Sequence, residues 1–205
     1  GFVYDYPLGR AHYGDFGYYH ISKIIFDDIA KISALGLNGY ISCQELRCFS
    51  PNSLPNYVMG YALSGLCKDF EAFVTDYYRD FYGDFYEEAM AYLKELSSLS
   101  HPDYYNNKGD RVSKPINADF ICILEVLNGF LPTFDKVKSS GGFTAHWELL
   151  EFHNSYLNRL VKALIMLSNG EFNSANELFK DFADFIQKNE LKFQPYLDVY
   201  RLMDI

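Results

Sequence analysis

The chain has 205 residues, a formal net charge of -9, and 49% hydrophobic residues. That length fits one ordinary domain or a small unit joined to a larger one, and the apolar content excludes a disordered chain. Lys and Arg are scattered singly with no basic stripe, which argues against a nucleic-acid partner.

In chain order, FVYDY (Phe2 to Tyr6) is a short β-prone run ended by Pro7 and Gly9. RAHYGDFGYYH follows as a polar loop punctuated by glycine. His20 to Leu35 predicts a helix, because Ile21, Ile24, Ile25, Ile29 and Ile32 recur at helical spacing and Gly36 suits a C-cap. Leu37 to Cys43 predicts a second strand. Strand, loop, helix, strand is a βαβ unit, so the two strands are expected to be parallel with a right-handed crossover.

A two-stranded parallel sheet needs further strands to cover its faces and edges, and nothing after Leu63 supplies them. Asp69 to Tyr82 predicts a helix with Asp69 as N-cap and Gly83 as breaker. Asp84 to Leu99 predicts the next helix. His101 to Pro115 predicts a loop. Asn117 to Val137 predicts a helix bent at Pro132, and Ser139 to Gly142 a linker. Thr144 to Leu167 and Ser174 to Asn189 predict two more helices, with a last turn or two at Tyr196 to Met203. The expected fold class is mainly α with a small α/β front, divided near residue 66 into 1–66 and an antiparallel helical part, 67–205.

Cys43, Cys48, Cys67 and Cys122 form no C-x-x-C pair, and the five histidines are not at ligand spacing from them. No metal and no cofactor are expected. Cys43 and Cys122 sit in apolar runs and predict buried free thiols. They favour a reducing compartment, and with no membrane-length apolar run and no signal peptide the expected location is cytoplasmic.

The stretch YISCQELRCFSPNSLPNYVMGYAL, followed by DFEAFVTDYYRDFYGDFYEEAMAYLKEL, resembles the C-terminal part of a bacterial family of glycoside-hydrolase-like proteins. That family is known as a domain of unknown function and is similar in layout to α-glucuronidases and β-hexosaminidases. The resemblance covers Phe2 to Leu99. It implies that Phe2–Tyr6 and Tyr40–Cys43 are the last two strands of a (β/α)8 barrel and that the helices after Asp69 form a trailing domain. The acid/base carboxylates would then lie upstream of Gly1, leaving this chain inactive alone.

Barrel chemistry gathers at the C-terminal ends of strands. Glu45, with Gln44 and Arg47 beside it, occupies that place after the second strand, and a Glu45–Arg47 salt bridge on a loop is the plain alternative. Asp5 and Tyr6 occupy it after the first strand, where Asp5 can also serve as a turn former. His12 lies in the following loop, where it reads as a surface residue and, on the barrel reading, as a pocket contributor. Tyr13, Phe16, Tyr18, Tyr19 and Phe49 offer a stacking platform for sugar rings or filler for the joint between barrel and helices. His146, Trp147 and His153 suit a core or interface.

Two functions follow as expectations. One is the C-terminal fragment of a carbohydrate-active protein that binds its carbohydrate substrate with the upstream barrel segment. The other is an autonomous helical interaction module, forming a homo-oligomer or holding another partner.

Overall fold

The computed structural model describes residues 1–43, 47 and 49–203. Strands β1 (Phe2–Asp5) and β2 (Gly39–Ser42) pair in parallel, with Phe2 opposite Gly39 and Asp5 opposite Ser42. Between them runs α1 (Tyr19–Ile32), which buries Ile25 and Ile29 and leaves Ile24 exposed. A 3-10 turn at Ser33–Leu35 extends it to Gly36, whose φ of 71° is left-handed and suits glycine.

The rest is helical: α2 (Leu54–Leu63), α3 (Phe70–Tyr82), α4 (Tyr86–Ser98), α5 (Pro102–Tyr105), α6 (Lys114–Ser140), α7 (Ala145–Ser168), α8 (Phe172–Phe193) and α9 (Val199–Met203). The protein is therefore mainly α. Asp69 caps α3 as expected, its Oδ1 accepting the Ala72 N–H at 2.9 Å. Gly83, at φ 60°, ends that helix.

Three local expectations fail for physical reasons. Residues 101–115 are not all loop, because Pro102 starts the short helix α5. Helix α6 runs through Pro132 and absorbs Ser139 and Ser140, which were expected in a linker. Pro132 and Asn128 both face solvent, so water can serve the Asn128 carbonyl that loses its helical donor. Cys43 and Cys122 are exposed, not buried, and Cys67 is the buried thiol. Cys122 sits on the outer side of α6, beside the buried Ile123.

Helices α6, α7 and α8 pack side by side across short turns, as antiparallel neighbours do. Trp147, near the start of α7, is fully buried and donates Nε1–H to the Tyr82 carbonyl at 3.2 Å. Tyr82 meets its indole edge-on at 5.1 Å. Tyr92 stacks on Phe130 at 4.0 Å, and Phe152 on Phe193 at 3.7 Å. The Asn154 amide donates to the Tyr92 hydroxyl and to the Leu127 carbonyl, tying α4, α6 and α7 together.

The front joins this core. Leu8, Tyr13, Phe16, Ile25, Ile29, Leu54 and Val58 belong to the same buried cluster as Trp147 and Phe182. The two strands are different, since neither holds a fully buried residue and Phe2, Tyr4 and Ile41 stay exposed. Among the described residues no helix is long and apolar enough to cross a membrane.

Candidate functional site

The parallel pairing aligns the C-terminal ends of β1 and β2, and a small polar group forms there. Asp5 Oδ1 accepts the Tyr6 N–H at 2.8 Å, and Asp5 Oδ2 accepts the Tyr40 hydroxyl at 3.1 Å. The Asp5 carbonyl accepts the Cys43 N–H at 3.1 Å, which closes the mouth of the pair. Burial, and then the Asp5 charge, push the Tyr40 phenol up to about 12. Tyr40 therefore stays a hydrogen-bond donor at neutral pH. The Tyr6 ring is exposed and meets Tyr4 edge-on at 6.2 Å.

Of the other expected site residues, His12 and Arg47 turn away from this group. His12 is a buried residue, not a surface one. It lies in a 3-10 turn, Arg10–Gly14, with its ring 4.0 Å from that of Tyr13. Its Nδ1 contacts the Gly9 carbonyl, and Nε2 has no partner among the described residues. Burial holds this imidazole down at about 4 despite the Gly9 bond, so it is neutral at pH 7. Arg47 reaches the far end of the helical part, meeting Asp198 at 3.3 Å and Gln194 at 3.5 Å. Its carbonyl accepts the Tyr13 hydroxyl at 3.4 Å. Gln44 and Glu45 lie outside the described residues.

The expected aromatic platform is mostly interior. Tyr13, Phe16 and Tyr18 are buried in the joint between front and helices. The Tyr19 hydroxyl meets Glu71, and Lys94 lies 4.6 Å over the Tyr19 ring. Phe49 is partly exposed and faces His146 and Tyr196 across a notch of about 80 Å³. Besides the strand aromatics, Tyr57 and Tyr61 are exposed one turn apart on α2, with rings 6.3 Å apart and nearly parallel.

Sequence reasoning passed over the interior carboxylate of Asp15. Asp15 is buried, with Oδ1 accepting from the N–H groups of Gly17 and Tyr18 and from the Ser97 hydroxyl at 2.5 Å. Its Oδ2 accepts the Ile21 N–H at 2.8 Å. An Asp shortly before an apolar periodic run is the signal that could have found it, since it can accept an orphan donor of the first helical turn, here the Ile21 N–H. His153, expected in a core or interface, is buried on α7 against Tyr156.

Chemically, the strand-end group offers one carboxylate acceptor and two phenolic hydroxyls. It can bind hydroxyl groups. One carboxylate does not make the flanking pair that glycoside hydrolysis requires. Among the described residues no group of three or more His, Cys, Asp or Glu is placed to hold a metal ion. No family model matches the chain, and no curated protein or solved structure matches it either.

Proposed function

We propose that this chain is the C-terminal part of a carbohydrate-active protein, a glycoside hydrolase. It would supply the last two strands of a (β/α)8 barrel and a trailing helical domain. The observation that carries this reading is the open parallel strand pair. Parallel strands are ordinarily covered on both faces, yet Phe2 and Tyr4 are 62% and 60% exposed. An upstream barrel segment would pair the free edges and cover these rings. Asp5 and Tyr6, with Gln44 and Glu45 from the second loop, would line the sugar pocket at the strand ends. The acid/base pair would come from the upstream strands, in a cytoplasmic enzyme.

The test is Asp5→Ala and Glu45→Ala in the full-length protein, read by hydrolysis and sugar affinity. Affinity lost in either variant supports the reading. Unchanged activity and affinity in both removes the strand ends from the site.

The same exposed rings favour a second reading, an interaction module that associates through β1 and β2. Sedimentation of this chain separates the two. A discrete dimer that becomes monomeric in Phe2→Ser/Tyr4→Ser supports the module, and a monomer at all concentrations removes it.

A further inference from the structure

We propose that the joint between the β1–α1 segment and helix α7 binds one internal water molecule, held by Nδ1 of His153. The imidazole is 1% exposed and lies beside the Phe16 backbone. Nδ1 has no partner among the described residues, and in this proposal Nε2 takes the Phe16 carbonyl. A carbonyl only accepts, so Nε2 carries the proton and Nδ1 presents a lone pair. A buried acceptor of this kind calls for a donor.

The space for that donor exists. His153, Asp15, Tyr18 and Tyr156, with Leu157 and Leu160, line a small cavity of about 10 Å³. That is the lower limit for one water and far below what an organic ligand requires. Its lining residues include a carboxylate, two phenols and the imidazole, from which an internal water would draw its two to four partners. The water donates one O–H to Nδ1 and the other to an oxygen of the lining. Tyr156 meets Ser50 at 3.3 Å, which links the site to the segment after β2.

His153 is thereby a positioning residue. One face of its ring fixes the Phe16 carbonyl in the segment that leaves β1, and the other is satisfied by the water. Helix α7 so holds the loop that carries His12. The inference does not depend on the carbohydrate reading.

The test is NMR on the whole chain, labelled with 15N at histidine, at pH 7. The expected spectrum shows His153 protonated at Nε2 and bare at Nδ1, with a cross-peak from a long-lived water to the rings of His153 and Tyr156. His153→Leu should abolish that cross-peak. The wild-type spectrum decides alone if the variant does not fold. A proton on Nδ1, or no water contact at His153, overturns the proposal.

Discussion

The backbone of Gly17 lies directly against the carbonyl oxygen of Leu93. A β-carbon built on Gly17 would fall 1.8 Å from that oxygen and 2.6 Å from Ser97 Oγ. Helix α4 thus presses on the N-terminal end of α1 with no room for a side chain. Backbone cannot yield as a flexible side-chain tip does, so Gly17→Ala should cost about 3 kcal/mol or more. Urea unfolding measures this, and a loss under about 1 kcal/mol would mean the two helices sit farther apart.

Asp15 holds the same contact from the other side. Its carboxylate accepts three backbone N–H groups and the Ser97 hydroxyl. Asp15→Ala leaves those donors buried without an acceptor, at about 2–4 kcal/mol. Ser97→Ala removes one donor and should cost less. Equal losses in the two variants would contradict the network.

The buried imidazoles make stability fall in acid. Burial lowers His12 to about 4 and His153 to about 3, from an ordinary 6.5. The unfolded chain therefore binds more protons between these values. The contribution is complete above pH 6.5 and is lost as pH falls toward 4 and then 3. Each histidine adds a slope of up to about 1.4 kcal/mol per pH unit in its window. His153→Gln should flatten the pH dependence between 6.5 and 3 relative to wild type. Parallel curves for variant and wild type would show that His153 is not held neutral.

Trp147 anchors the helical core. Trp147→Ala removes the largest fully buried side chain and orphans the Tyr82 carbonyl. The expected loss is about 3–5 kcal/mol, read by thermal or urea unfolding. A loss near 1 kcal/mol would place the indole at the surface.

At the strand ends, Asp5 and Tyr40 report on each other. Asp5→Asn removes the charge that helps to raise the Tyr40 phenol, so its titration should shift downward from about 12. It should stay above the ordinary value, because burial is the larger cause. An unmoved midpoint, followed by the ring signals of Tyr40, would separate the two side chains.

The outcomes for particular residues show what was legible. Asp69 and Gly83 bound α3 as their chemistry predicts, because a cap and a breaker act within one turn. The β1–α1–β2 order was legible from a β-prone run, the helical spacing of the isoleucines in α1 and the strand-like segment after Gly36. Cys122 was misread because an apolar run does not say which side of a helix meets solvent. His12 was misread for the converse reason, since a polar, glycine-rich loop can still be folded inward.

The sequence by itself determined the mainly helical class, the parallel strand pair and the ends of several helices. The helices and their ends rest on interactions between residues a few positions apart, and the strand pair on the helix that joins its two strands. Only the tertiary structure decided that Arg47 meets Asp198, 151 positions away, instead of serving the strand ends. It alone buried His12, Asp15 and His153 in one joint. Such contacts depend on which helix faces another, and no short-range pattern carries that information.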